Sequence, residues 1–239
     1  MATVKKIAKI IGIGLTLLVV AVYIIVKIFA INSVSELKRD SVPVEIVTID
    51  AKTPENPYDY GDCIADWPWN VEVMNPDIDS NLSINKEKHI VFNYSSYTEE
   101  ETLYDSMSEY DNYKAFFEQN NIYSDEDLTC YLYSYNSKDI SMKYLFKPIK
   151  QLKKALFLCE LQMVCYPEAV KVYDVRNGDL RAIVEVLKYD HDDISYSYLI
   201  TIKSPLDKKN RGFRILDIEN NLTEEDIFNF ISTISFKEE

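Results

Sequence analysis

The chain opens on a segment with no polar face. Between Ile10 and Val26 no residue is charged, and after Lys27 the apolar character resumes at Ile28, Phe29 and Ala30. A helix rises about 1.5 Å per residue, so about 20 residues cover a hydrocarbon layer of roughly 30 Å. Residues 10–30 therefore predict a single transmembrane helix, with Lys27 close enough to one end to extend its ammonium to the interface. A cleaved signal peptide has an apolar region of roughly 7 to 15 residues and a small-x-small cleavage site. Here the run is longer and Ile28 stands two positions before Ala30, which predicts an uncleaved signal-anchor.

Beyond a polar linker the pattern alternates between periods of two and of 3.6. VEIVTID (Val44 to Asp50), bounded by Pro43 and Pro54, reads as a strand, and HIVFNY (His89 to Tyr94) as a second. Between them Pro57 to Asn75 is irregular and holds both tryptophans in Trp67-Pro68-Trp69, where Pro68 keeps Trp67 out of helical geometry. Thr98 and Glu101 have capping-box spacing and predict a helix from Glu99 to about Gln119, with Leu103, Met107, Tyr110, Lys114 and Phe117 on one stripe. Asp125 to Tyr135 fits helix or strand, and Ile140 to Phe146 fits a strand. Pro148 suits the first turn of a helix reaching about Cys165, its lysines early and its apolar residues late.

The last third is the most regular. AVKVYDV meets LRAIVEVLK across Arg176-Asn177-Gly178-Asp179, and Asn-Gly is the usual dipeptide where both turn residues need positive φ. Ile194, Tyr196, Tyr198, Ile200 and Ile202 alternate with mostly polar neighbours, as in a strand with one face buried. FRILDI follows, and Thr223 with Asp226 caps a helix carrying Ile227, Phe230, Ile231 and Ile234. Four strands and a helix in this order predict an antiparallel meander with a helix on one face. The fold class is α+β: a tail (1–9), an anchor (10–30), a linker (31–43) and a domain (44–239) built as an antiparallel sheet with helices packed on it.

SYLITIKSP, FRILDI and LTEEDIFNFISTISFK together resemble the C-terminal half of PsbP-like domains, the LpqN/DcrB-type extracytoplasmic group. The resemblance covers residues 168–237. It implies an α/β sandwich with a structural or binding role and transfers no catalytic residue. The helical middle, Thr98 to Cys165, and the uncleaved anchor depart from that group.

Composition narrows the partners. Eighteen Tyr and ten Phe supply the aromatic volume for a packed core, so disorder is not expected. Residues 40–239 hold 20 Lys and Arg against 38 Asp and Glu, a formal charge of −18. A body that acidic is expected to be repelled by nucleic acid phosphates and by anionic lipid headgroups, which excludes DNA or RNA as the expected partner. Lys5, Lys6 and Lys9 precede the apolar run, while Lys27, Lys38 and Arg39, offset by Glu36, follow it. The count predicts a cytoplasmic N-terminus and an extracytoplasmic C-terminal domain at the cell membrane.

Candidate chemistry is sparse. There is no G-x-S-x-G, P-loop, G-x-G-x-x-G or H-E-x-x-H, and only three glycines lie outside the anchor to shape a phosphate cradle or oxyanion loop. Cys63, Cys130, Cys159 and Cys165 form either two disulfides or four buried thiols, and no C-x-x-C spacing marks a redox pair or zinc knuckle. Asp77, Asp79 and Asn81 imitate the opening of a calcium loop, but Leu82 and Lys88 stand where Gly and Glu are needed. His89 opens a strand and has no partner motif. Asp190-His191-Asp192-Asp193 could hold a divalent cation, although turns select Asp without one. No catalytic residue and no cofactor are expected. The tyrosines Tyr94, Tyr97, Tyr104, Tyr110, Tyr113, Tyr131, Tyr133 and Tyr135 suit a protein interface. The leading expectation is a non-enzymatic, membrane-anchored module that binds a protein partner, in one version an immunity-type inhibitor of a basic toxin. Its rival is a metal-dependent hydrolase using Asp190, His191, Asp192 and Asp193.

Overall fold

A computed structural model describes residues 2–69, 72–73, 81–86, 90–98, 102–188, 196–203 and 209–237. In chain order its elements are helix α1 (Ala2–Ser33), strands β1 (Val44–Thr48), β2 (Pro57–Asp59), β3 (Cys63–Asp66), β4 (Glu72–Val73), β5 (Asn81–Asn85) and β6 (Ile90–Thr98), then helices α2 (Leu103–Ser108), α3 (Asp111–Gln119), α4 (Asp125–Ser134) and α5 (Ile149–Leu161). Strands β7 (Ala169–Asn177), β8 (Leu180–Leu187), β9 (Tyr196–Lys203) and β10 (Lys209–Asp217), helix α6 (Glu224–Ser232) and β11 (Ser235–Phe236) complete it. The chain forms two compact units. Met1–Ser41 and Tyr135–Val164 make a helical unit; Val42–Ser134 and Cys165–Glu239 make a sheet unit.

In the sheet unit, eight strands run in the order β1-β7-β8-β9-β10-β6-β5-β4, and β11-β3-β2 form a smaller sheet. The predicted meander is present, β7 to β10 being successive antiparallel neighbours. The large sheet is mixed rather than wholly antiparallel, because β1 lies parallel to β7 from Val44↔Val172 to Thr48↔Arg176. Parallel partners cannot be joined by a hairpin, and the whole middle of the chain intervenes between these two. The β7–β8 turn also shifts by one residue. Asn177 stays in the ladder opposite Leu180, and of the two loop residues only Gly178 has positive φ, +57°. That is the II′ pattern rather than the doubly positive turn expected from Asn-Gly.

One face of the large sheet buries Phe92, Ile200, Ile202, Phe213 and Ile215 against Ile227, Phe230 and Ile231 of α6. α6 starts where the sequence places it: Thr223 Oγ1 accepts from Asp226 N (3.2 Å) while Asp226 Oδ2 accepts from Thr223 N (2.8 Å). On β7 and β8, Arg181 gathers a polar knot that holds α4. Its Nε and Nη2 donate to the two carboxylate oxygens of Asp174 at 2.8 Å each, and Nη2 also reaches Asp127 at 2.8 Å. Arg176 adds a 2.7 Å bond to the same Asp174, whose side chain is only 3% exposed. Burial raises the Asp174 carboxyl, but the bonds from Arg181 and Arg176 outweigh it and hold the carboxyl below its ordinary range.

The expected single helix from Glu99 to Gln119 is two. β6 continues to Thr98 because β10 pairs with it over its whole length, ending at Lys209↔Thr98. Capping therefore falls one turn later, where Thr102 Oγ1 accepts from Asp105 N (3.1 Å). The break between α2 and α3 has Tyr110 in extended geometry and exposed, while Met107 and Phe117 on either side are buried. The ambiguous 125–135 stretch is helix α4, with Asp125, Glu126 and Asp127 in its first turn, favoured there by the helix dipole.

In the helical unit, α1 is long and apolar enough to cross a membrane. Ile31 and Val34, just beyond the apolar run, are buried with Ile140, Leu152, Ala155 and Cys159. Arg39 N donates to Ser137 Oγ at 2.7 Å, which ties down the stretch read from sequence as a linker. Lys27 is 1% exposed. Its ammonium does not reach for solvent but donates to the carbonyls of Tyr144 (3.4 Å), Leu145 (2.9 Å) and Lys147 (2.5 Å), and lies 4.8 Å from the centre of the Tyr23 ring. This explains why Met142–Phe146 is a 3-10 turn instead of the expected strand. Successive strand carbonyls point in opposite directions, whereas a helical turn can aim several at one cation. α5 begins after Pro148 as predicted and buries a stripe of Leu152, Ala155, Leu158 and Cys159.

Candidate functional site

The site builds from Trp67-Pro68-Trp69, which follows β3 in the sheet unit. Trp69 has φ +48°, a left-handed conformation that costs a bulky residue of order 1 kcal/mol or more and needs surrounding support. Support comes from Asn85, whose Nδ2 donates to the Trp69 carbonyl at 2.7 Å, and from ring contacts with Phe92 (6.2 Å) and Phe230 (5.7 Å). Trp67 packs beside Tyr58 (4.4 Å) and stacks at 6.5 Å on Tyr60. Both indoles stay half-buried.

Around them lies a groove of about 380 Å³, lined by Lys52, Thr53, Glu55, Asn56, Asp66, Asp226, Asn229 and Thr233 together with Trp67, Pro68, Trp69 and Phe230. Hydrogen bonds staple its walls. Asn56 N donates to Asp66 Oδ1 (2.7 Å), Trp67 N to Asn56 O (2.8 Å), Asp66 N to Thr233 Oγ1 (3.0 Å) and Lys52 N to Ser232 O (2.8 Å). The one lysine of the lining, Lys52, turns its ammonium to Asn229 Oδ1 at 2.5 Å. Glu55, Asp66 and Asp226 against Lys52 give the lining a negative balance beside its aromatic rings. An ammonium or guanidinium fits such a place on two counts, by attraction to the ring faces and by pairing with carboxylates.

Sequence reasoning singled out Trp67 and Trp69 only as part of an irregular stretch. The rest of the groove, Lys52, Glu55, Asn56, Asp66, Asp226 and Asn229, carries no local signal, because it is assembled by β11 pairing with β3 and by the placement of α6. Of the tyrosines singled out in the sheet unit, Tyr94 and Tyr133 are buried, Tyr104, Tyr113 and Tyr131 half-buried, and Tyr110 exposed. Asp190, His191, Asp192 and Asp193 lie outside the described residues, as do Asp77, Asp79 and His89. Among the described residues no group of three or more His, Cys, Asp or Glu is placed to hold a metal ion.

Cys63, Cys130, Cys159 and Cys165 are all free thiols. Burial raises the Cys63 thiol to about 11, even though it donates to Tyr94 Oη at 3.7 Å, and burial likewise raises Cys130 and Cys159. Thiols so raised are poor nucleophiles near neutral pH. Beside Cys63, Asp62 accepts from Tyr94 Oη and from Ser96 Oγ (2.7 Å) and pairs with the buried Arg211 at 3.2 Å. The Arg211 guanidinium lies 4.7 Å from the Phe236 ring centre. The cluster packs the end of the chain onto the sheet.

No family model, curated protein or solved structure matches the chain.

Proposed function

We propose that the protein is a membrane-tethered binding module without catalytic activity, held by α1 and recognising a basic segment of a protein partner through the Trp67–Trp69 groove. The observation that carries this reading is one groove lined both by two half-buried indoles, Trp67 and Trp69, and by the carboxylates of Glu55, Asp66 and Asp226. An indole held in place by backbone and ring contacts offers large contact area at little cost in lost motion, as binding hot spots require. The sheet unit holds fourteen Lys and Arg against thirty-five Asp and Glu, a field that speeds encounter with a cationic partner. The resemblance of residues 168–237 to PsbP-like domains would imply a binding or structural role of the same kind, and an immunity-type inhibitor of a basic toxin is one concrete form. The proposed topology is a cytoplasmic N-terminus and an extracytoplasmic sheet unit; protease protection of the sheet unit in right-side-out membranes supports it, and digestion only in inverted membranes reverses it.

The test is binding of arginine-rich peptides, and capture of partners from extracytoplasmic extract, by the full chain in nanodiscs, with and without chelator. Trp67→Ala should weaken peptide binding by about 2 kcal/mol, roughly thirtyfold, with the fold intact by circular dichroism. Binding that ignores Trp67, or that needs a chelatable metal, overturns the reading; the second outcome returns the metal-dependent hydrolase.

A further inference from the structure

Lys27 fixes the depth of a second contact with the bilayer, a conclusion that rests on reading α1 as an anchor. Lys27 is the first charge after the run Ile10–Val26 and lies in the last turn of the span 10–30, so the ammonium sits near the edge of the hydrocarbon layer. The carbonyls of Tyr144, Leu145 and Lys147 converge on that ammonium. The Met142–Phe146 turn is therefore held at the boundary between acyl chains and headgroups. On it Phe146 is 92% exposed and Met142 50%. Both are large apolar side chains left uncovered, and aromatic residues concentrate at the membrane boundary.

The charges around the turn match the same surface. Lys143 and Lys147 flank Phe146, and α5 continues with Lys150, Lys153 and Lys154 exposed, away from its buried Leu152, Ala155 and Cys159. The helical unit as a whole has twelve Lys and Arg against four Asp and Glu. We infer that residues 142–154 form an in-plane collar, seating Met142 and Phe146 in the interface of the bilayer that α1 spans and binding its anionic lipid headgroups through Lys143, Lys147, Lys150, Lys153 and Lys154. Basic residues at that depth are attracted to anionic lipid, and an amphipathic segment with an aromatic tip lies in the interface plane.

The experiment places the full chain in nanodiscs whose lipids carry bromine either near the headgroup or deep in the acyl chain, with and without anionic lipid. Tryptophan emission added by Phe146→Trp or by Val19→Trp is read as the difference from the parent chain. Val19→Trp emission should be quenched by deep bromine; if it is not, the anchor reading fails and the collar with it. With Val19→Trp quenched, Phe146→Trp emission should be blue-shifted and lose intensity to shallow bromine, more so when anionic lipid is present. Replacing the five lysines by Gln should remove that lipid dependence. An emission typical of indole in water overturns the collar, as does a blue-shifted emission that ignores bromine, which would mean cover by protein such as a second copy. Equal quenching with and without anionic lipid overturns the headgroup assignment.

Discussion

The two units solve the same problem, a charge removed from water, with different materials. In the helical unit the buried charge is a cation, Lys27, and the groups that solvate it are backbone carbonyls of one turn. In the sheet unit the buried charges include carboxylates. Asp174 is met by two arginines, whereas Glu185, 6% exposed, accepts from the Tyr133 hydroxyl. Carbonyl dipoles shape the backbone around the ion, so the cost of losing the ion is a local change of conformation. Arginine bridges tie separate elements together, so the cost of losing one spreads through the sheet unit.

The sharpest way to break that contrast is Arg181→Met. It leaves Asp174 buried with Arg176 alone and frees α4 from the β7–β8 hairpin, at an expected cost of about 3 kcal/mol in denaturant unfolding of the full chain. A loss below about 1 kcal/mol would falsify the claim that the knot holds α4. Adding Asp174→Leu to Arg181→Met should recover part of the loss, since the buried Asp174 carboxylate then no longer has to be satisfied, while Asp127 still lacks its arginine.

Glu185 gives the next effect, of opposite sign in pH. Burial raises its carboxyl from 4.5 to about 7, against a lowering by the Tyr166 backbone N–H. The folded state then binds the proton more tightly than the unfolded chain, so this contribution is full below about pH 4.5 and is lost as pH rises to about 7. Its size is about 3 kcal/mol. Asp174 and Asp62, both lowered, behave in reverse and lose their contribution only in acid. Glu185→Gln should therefore flatten the stability profile between pH 5 and 7, as measured by urea midpoints at a series of about five pH values; a profile parallel to that of the parent chain rules out this assignment.

The smallest effect is in the helical unit. Lys27→Met leaves the Tyr144, Leu145 and Lys147 carbonyls without their cation, a local penalty of about 1–3 kcal/mol. Trypsin cleavage after Lys143 in nanodiscs should accelerate while the unfolding transition of the sheet unit stays put. If both change together, the separation of the two units in their response to lost charge is wrong.

What could be read in the sequence followed from periodicity. The β7–β10 meander, the capped α6 and the long apolar helix all have patterns confined to neighbouring residues. What could not be read depends on distant partners. The 142–146 turn is helical because of Lys27, and β6 outruns its predicted end because β10 lies beside it. β1 needs β7 to reveal that it is parallel. The groove is the extreme case, since its Trp-Pro-Trp segment is visible locally while its acidic lining comes from the 52–56 loop, β3 and α6.

The parallel pairing of β1 with β7 also has a mechanical side. β1 is the first strand after α1, and Val42 N–H to Tyr133 O (2.8 Å) and Val172 N–H to Pro43 O (2.9 Å) extend its hold to the residues just before it. A pull on the chain along the line of β1 shears the strand against β7, and the pairs from Val44↔Val172 to Thr48↔Arg176 share the strain instead of opening one after another. The outer strand of the sheet, the one that looks most weakly held by sequence, is thus built to resist tension along the chain.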